Sequence, residues 1–153
     1  LTPIPTCDPS ISAQTIDVVT ANPKAWHNKT LAIVGPLNAM VMCTERGCDR
    51  ECCNSCSGGV VIGKGGFNNR ETVYLTHTQM PQAFQCHGDE TLSCCPYEAN
   101  TQEVIATGTF KFITERTVEV MSVSRDDPTP KIAHTYKEAV HELVLEDPKL
   151  CIP

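Results

Sequence analysis

The stretch that decides the fold reads Leu31-Ala32-Ile33-Val34-Gly35-Pro36-Leu37, an apolar run in which β-branched residues recur. Apolar residues at successive positions project from both faces of an extended chain, which predicts a strand covered on both sides. Gly35 marks a point at which such a strand can bulge or bend. This run is the first predicted strand of a β-rich domain.

Four more strands are predicted after it. The second and third cover residues 59–64 and 72–77, and the turn residues Gly65-Gly66-Phe67-Asn68-Asn69 between them predict a hairpin. The fourth covers residues 103–112 and the fifth residues 117–123. The fifth has apolar residues on both sides, so we expect the terminal helix or another subunit to cover both of its faces. Those residues are Val118, Val120, Met121 and Val123.

Two helices flank the strands in this interpretation. A short N-terminal helix follows the turn signal Cys7-Asp8-Pro9-Ser10 and ends before Asn22-Pro23. A C-terminal amphipathic helix is predicted over residues 130–146, with Thr129 as its cap and Asp147-Pro148 as its end. Its apolar stripe comprises Ile132, Tyr136, Ala139, Val140, Leu143 and Val144.

Five strands with one long gap between the third and the fourth are typical of a small Greek-key barrel. The approach Ala25-Trp26-His27-Asn28-Lys29-Thr30-Leu31-Ala32-Ile33-Val34-Gly35 resembles the entry to OB-fold domains of bacterial exported proteins. The segment Glu103-Val104-Ile105-Ala106-Thr107-Gly108-Thr109-Phe110 is similar to the fourth strand of that fold. The resemblance covers residues 25–124.

The resemblance implies a mainly β chain, residues 1–153, folded as a single five-stranded OB-like Greek-key barrel. Two cysteine-rich insertions and the C-terminal helix lie outside the family pattern. The chain also lacks the basic groove and aromatic platforms of OB domains that bind nucleic acid. The predicted barrel core comprises Ile33, Val61, Leu75, Val104, Ile105, Phe110 and Val120.

The composition indicates in which kind of compartment the protein is found and which class of partner is not expected. The 153 residues suit one domain, and ten cysteines favour an oxidising, extracytoplasmic location in a periplasm, in a cell envelope or outside the cell. We expect any export signal to have been removed already, and no apolar run is long enough to span a membrane. The net charge of −6 repels phosphate backbones, so nucleic acid is not an expected partner.

The ten cysteines are interpreted first as disulfides. Cys7 and Cys151 lie near opposite ends of the chain, and domain termini are often close together, which favours a bridge between them. The other eight allow 105 connectivities. We expect the first cluster to pair partly within itself and partly with the second. The first cluster comprises Cys43, Cys48, Cys52, Cys53 and Cys56, and the second Cys86, Cys94 and Cys95.

The alternative interpretation is a site for zinc or another transition metal. Cys53-Asn54-Ser55-Cys56 has the spacing of a metal knuckle, Cys48 and Cys52 are near enough to complete four thiolates, and His87 can add an imidazole. The same motif can be a redox pair, but the strand-then-helix context of such pairs is missing.

Catalytic motifs are absent from the sequence, which contains no Gly-x-Ser-x-Gly elbow and no His-Glu-x-x-His. His134, Glu138 and His141 share one face of the predicted helix, where a solvated role is favoured over a metal site. Asp126-Asp127 and Asp89-Glu90 are adjacent carboxylates, which usually point apart.

Taken together, these patterns favour a non-catalytic, exported binding or assembly module that contacts a protein partner, or another copy of itself, through its cysteine-rich loops. The alternative is a metal-binding or redox protein that uses the Cys43–Cys56 cluster. A hydrolase using Asp89, Glu90 or His77 is a third, weaker hypothesis.

Overall fold

The computed structural model describes residues 2–43, 56–65, 71–88, 93–98 and 100–153. Strands account for 57% of the described residues and helices for 10%. The helices are α1 (Ile16–Ala21), α2 (Pro23–Trp26) and a 3-10 turn (Pro81–Ala83). The strands are β1 (Gln14–Thr15), β2 (Thr30–Cys43), β3 (Cys56–Gly63), β4 (Thr72–Thr76), β5 (His87–Gly88), β6 (Ser93–Cys94), β7 (Glu103–Ser122) and β8 (Lys131–Cys151).

Six strands form one sheet in the order β1-β2-β3-β4-β8-β7. Because β2 also pairs with β7, the five strands from β2 to β7 close into a ring. The pairs β2–β3, β3–β4, β7–β8 and β2–β7 are antiparallel, whereas β4 and β8 run parallel. The predicted hairpin is therefore confirmed as β3–β4, and the predicted short N-terminal helix is confirmed as α1.

The core lies between the inward faces of the ring strands. Phe110, Ile33, Leu37 and Leu143 are among its fully buried side chains. A second, smaller cluster of Ala32, Ile105 and Cys151 lies apart from the main core, and Cys7, Ala13 and Val34 pack against it. The first predicted strand is thus covered on both faces. Six of the seven predicted core residues are buried, and the prediction is wrong only for Val120, which is partly exposed.

Gly35 serves a close approach between elements, because β2 continues through it in regular register with Gly35 opposite Val104. A methyl group at this position would lie 2.6 Å from Ile62 Cγ2 and 2.7 Å from Ile16 Cδ1. The missing side chain therefore lets Ile16 of α1 reach the sheet.

The predicted C-terminal helix is wrong, because residues 131–151 form the strand β8. Ile132, Tyr136 and Val140 recur every four residues, a spacing that fits one helical stripe and also one side of an unbulged strand. Leu143, Val144 and Leu145 are all buried, as in a strand covered on both faces. Pairing with β7 over its whole length overrides the local helical pattern. The two strands predicted over 103–112 and 117–123 are correspondingly one strand, β7.

Two disulfides are described, and they fit an oxidising, extracytoplasmic environment. Cys7 is bonded to Cys151, as the proximity of the chain ends predicts, and the Cys7 backbone N–H donates to the Ile152 carbonyl at 2.7 Å. The Cys86–Cys95 bridge lies within the second insertion. This bridge differs from the pairing expected between the two clusters. Cys48, Cys52 and Cys53 lie outside the described residues, and Cys43, Cys56 and Cys94 are described by their backbone alone.

A bulge in β8 places Asp147 where it secures the segment after β4. The register shifts between Thr107 and Thr109, and Asp147 adopts a left-handed backbone with φ of 51°. Its carboxylate accepts hydrogen bonds from the Thr78 backbone N–H at 2.8 Å and from the Thr78 hydroxyl at 2.9 Å. These bonds lower the pKa of Asp147 below its ordinary value, with His77 adding a smaller effect.

The two described bridges are expected to contribute unequally to stability. Cys7 and Cys151 are 144 residues apart in sequence, whereas Cys86 and Cys95 are 9 apart. Loop entropy alone gives about 5 kcal/mol for the long loop and about 2.7 kcal/mol for the short one. We expect Cys7→Ala with Cys151→Ala to lower the free energy of unfolding, measured by urea denaturation, more than Cys86→Ala with Cys95→Ala. The reverse order would show that packing, rather than loop closure, decides the contribution.

Asp147→Asn should flatten the acid limb of the stability profile. Because the pKa of Asp147 is lowered by folding, its stabilisation is present above the ordinary value of 3.8 and is lost as pH falls through the folded value. Asparagine tolerates the left-handed backbone, removes the charge and keeps one oxygen that can accept from the Thr78 backbone N–H. Urea denaturation between about pH 5 and pH 2 should show a shallower decline for this variant than for the unchanged chain. The exposed Asp126→Asn is the matched control, and an equal effect there would contradict the assignment.

Candidate interaction surface

Beyond the ring, β7 and β8 continue as a two-stranded projection. β7 pairs with β2 only through residues 103–109, and β8 pairs with β4 only through residues 143–146. From Ile113 opposite Glu142 to Ser122 opposite Lys131, the described strands pair only with each other. Ten residues of β7 at about 3.4 Å each extend roughly 30 Å. We call residues 113–122 and 131–142 the ribbon.

The residue types of the ribbon suit a β structure. Thr117, Val118, Val120 and Thr135 are β-branched, and Tyr136 is aromatic. Such side chains pack well across a pleated pair of strands, so the ribbon segment favours strands despite its partial helical periodicity.

A short loop joins the two ribbon strands, and its tip is organised around Asp127. The Asp127 backbone N–H donates to the Ser124 hydroxyl at 3.0 Å, and the Asp127 carboxylate accepts from the Thr129 backbone N–H at 3.1 Å. The Lys131 ammonium lies 3.0 Å from the same carboxylate. The hydrogen bond from Lys131 is the largest cause of a lowered pKa at Asp127, ahead of those from Thr129.

The cross-strand register assigns the ribbon residues to two faces. One face carries three opposed pairs, namely Arg116 with Glu138, Val118 with Tyr136 and Val120 with His134. The rings of His134 and Tyr136 lie 6.3 Å apart, as neighbours on one face do. The other face carries Thr117 with Lys137, Glu119 with Thr135 and Met121 with Ile132. Register shifts at Ile113/Glu115 and Val120/Met121 bound the regular part of β8, residues 134–139.

Large apolar side chains are exposed on the distal half of the ribbon. Tyr136 is 49% exposed, Met121 51%, Ile132 53% and Val123, just beyond Ser122, 62%. We expected both faces of residues 118–123 to be covered, but the described chain leaves Met121 and Val123 bare. Met121 and Ile132 are opposed on one face and Tyr136 lies on the other, so apolar surface is exposed on both faces of the distal ribbon. Exposed apolar surface that is more than scattered single residues marks interaction sites.

Ion pairs and ring contacts stabilise the half of the ribbon that is nearest to the ring of strands. Arg116 lies 2.8 Å from a Glu142 oxygen and 3.5 Å from a Glu138 oxygen. At the base, His27 Nδ1 accepts a hydrogen bond from the Phe112 backbone N–H at 2.9 Å. The His141 ring meets the Phe112 ring edge-on at 4.9 Å. Exposed pairs each add at most about 1 kcal/mol, so these ion pairs contribute only modestly to the stability of the ribbon.

The carboxylates and histidines singled out in the sequence do not form one site. His134 and Glu138 share a face but are separated by four strand residues, about 13 Å, and His141 packs at the base. His77 Nδ1 accepts from the backbone N–H groups of Gln79 and Met80 at 3.2 and 3.0 Å, which gives His77 a structural role in a turn. Asp89 and Glu90 lie outside the described residues.

Within the described ranges, no three histidine, cysteine, aspartate or glutamate side chains come together as metal ligands. Of the proposed ligand set, Cys48, Cys52 and Cys53 lie outside those ranges, and Cys56 and His87 are described by their backbone alone. The zinc hypothesis therefore remains a prediction. No described helix has the length and apolar character needed to cross a membrane.

A groove of about 580 Å³ lies beside the Cys7–Cys151 bridge. The only charged residues in its lining are Asp8 and Lys149. The Asp8 carboxylate already accepts hydrogen bonds from the Ser10 backbone N–H and hydroxyl, which lower its pKa.

The elements predicted from the sequence do not include the ribbon. The alternation Thr117-Val118-Glu119-Val120 has the period of a strand, and Lys131–Cys151 contains the β-branched and aromatic residues that a partner strand needs. Read together, these two segments would have indicated a long hairpin around Pro128 and Pro130.

Comparisons with known proteins identify no relative of this chain. No family model matches the chain, and neither a curated protein nor a solved structure matches it.

Proposed function

We propose that this chain is an exported binding or assembly module in which an OB-like Greek-key barrel carries the ribbon as its contact element. The observation that carries the proposal is the apolar surface exposed on both faces of a projecting ribbon, with Met121 and Ile132 on one face and Tyr136 on the other. A scaffold that presents apolar groups at a fixed position reduces the entropy lost on binding.

The strand order supports the barrel part of the proposal. Five strands close into a ring, and β8 lies between β4 and β7, so that the last strand in sequence is inserted between earlier ones. Non-sequential insertion of this kind is what a Greek-key connection produces. In an OB-like barrel, β2, β3, β4, β7 and β8 would be the five barrel strands, and the ribbon would be an extension of the last two.

The Cys7–Cys151 and Cys86–Cys95 bridges support the exported part of the proposal, because structural disulfides persist in oxidising compartments. The negative net charge of −6 favours a protein partner over a polyanion. Recognition through the cysteine-rich insertions, expected from the sequence, remains a competing location for the contact within the same function.

Removing the exposed apolar side chains of the ribbon should weaken partner binding and preserve the fold. Met121→Thr, Ile132→Thr and Tyr136→Thr combined keep β-forming residues while removing the exposed apolar surface. We expect a partner captured from the source and then purified to bind this variant at least tenfold more weakly, about 1.4 kcal/mol. Binding is measured by isothermal titration calorimetry, and unfolding by urea denaturation shows that the variant is folded.

The matched control replaces three exposed apolar residues elsewhere, Ile11, Val18 and Met80, with threonine. The control should bind like the unchanged chain. Cys94→Ser with Cys95→Ser tests the competing location. Loss of binding in that variant, with full binding retained by the ribbon variant, would assign recognition to the insertion and contradict the ribbon.

A further inference from the structure

We infer that the ribbon binds a second copy of this chain through the outer edge of β8, an inference that rests on the proposed function. The two β8 strands would pair antiparallel about a two-fold axis at Tyr136. They would join the two ribbons into one four-stranded sheet.

The outer edge of β8 is available for this pairing. β4 stops pairing with β8 at Leu143, and no described strand lies beside residues 131–142 on that side. The backbone N–H and C=O groups along such an edge form a template for another strand. The register shifts leave residues 134–139 as the regular stretch. Bulges twist an edge away from a partner, so we confine pairing to this stretch.

The side chains select one register. In a two-fold symmetric antiparallel pair, residues that face each other lie on the same side of the sheet, so the centre of symmetry falls on a residue. With Tyr136 at the centre, His134 faces Glu138 of the second copy, and Thr135 faces Lys137. In both His134–Glu138 contacts an imidazole N–H can donate a hydrogen bond to the carboxylate, and no two like charges are opposed within the regular stretch.

The neighbouring registers lack this complementarity. A centre at Lys137 opposes two lysines, and a centre at Glu138 opposes two glutamates, both of which are destabilising. A centre at Thr135 places His134 opposite Tyr136 and leaves Glu138 without a partner in the regular stretch of the second copy. Among the centres from Thr135 to Glu138, Tyr136 alone places His134 opposite Glu138.

The outer edge of β7 does not offer an equivalent register. Its charged ribbon residues are Glu115, Arg116 and Glu119, and Arg116 lies on the opposite face from both glutamates. No symmetric register of β7 can therefore oppose Arg116 to a glutamate. The β8 edge also brings together the two Tyr136 rings with Val118 beside each, which makes an apolar row across the four strands.

Charge variants test the register by sedimentation velocity over about 1 µM to 1 mM, because a pairing this short predicts a reversible dimer. Glu138→Lys removes the carboxylate that faces His134 and should weaken dimerisation at least tenfold. His134→Glu combined with Glu138→Lys places a glutamate opposite each lysine and should restore the dimer. The control Glu119→Lys makes the same charge change on β7 and should leave dimerisation unchanged. The rescue separates dimerisation from loss of the Arg116–Glu138 pair, which the double variant does not repair.

Cysteine crosslinking tests the geometry directly. Tyr136→Cys places two thiols opposite each other at the distance of a cross-strand pair, within reach of a disulfide. It should give a covalent dimer on mild oxidation. His134→Cys alone should not, because the two copies of residue 134 lie four residues, about 14 Å, apart along the strands. A mixture of His134→Cys and Glu138→Cys should crosslink.

The outcomes separate this inference from the proposed function. A chain that is monomeric throughout, with no crosslink at residue 136, overturns the inference. The proposed function is still supported in that case if the triple variant Met121→Thr, Ile132→Thr and Tyr136→Thr fails to bind a different protein that the unchanged chain binds. A dimer insensitive to Glu138→Lys, or one crosslinked by His134→Cys alone, places the copies in another arrangement and also overturns the inference.

Discussion

The pairing of β7 with β8 is the interaction on which the rest of the structure depends. It extends from Ile105 opposite Cys151 to Ser122 opposite Lys131. Near the chain end, it brings Cys151 to Cys7 and inserts β8 beside β4, which closes the ring. At its other end, the same pairing runs past every other strand of the described chain. One long hairpin thus closes the body of the protein and creates its projection.

Because β8 contributes both to the disulfide and to the ring, its direction has to change between these two parts. The bulge at Asp147 provides this change of direction. Gly108 lies opposite this bulge, and a methyl group there would lie 2.5 Å from the Glu146 carbonyl oxygen. Only glycine permits this approach of the two backbones without displacement. Asp147 then directs its carboxylate to Thr78, so the irregularity that bends β8 also fixes the segment following β4.

The parts of the fold that could be predicted are those in which local pattern and tertiary environment agree. The continuous apolar run at Leu31, the pairing of β3 with β4 as a hairpin and the proximity of Cys7 to Cys151 are of this kind. The helical spacing of Ile132, Tyr136 and Val140 gave a wrong prediction, because a four-residue repeat fits both the helical period and the strand period. Pairing with β7, which is distant in sequence, decides that this segment is a strand. The position of the ribbon beyond the ring depends on where β2 and β4 stop pairing, which no local pattern records.

Features that normally protect a strand edge from pairing with other chains are present at the two ends of the regular stretch of β8 but are sparse at its centre. Bulges flank the regular stretch of β8 and Lys131 lies beyond it, so extended or shifted pairing with other chains is disfavoured. Between the bulges, however, Tyr136 is central and half-exposed, with Lys137 as the one lysine of that stretch. Solubility alone would place charged residues at Met121, Ile132 and Tyr136. Protection at the ends combined with apolar exposure at the centre restricts pairing to a short defined segment, which is what a specific and reversible contact requires.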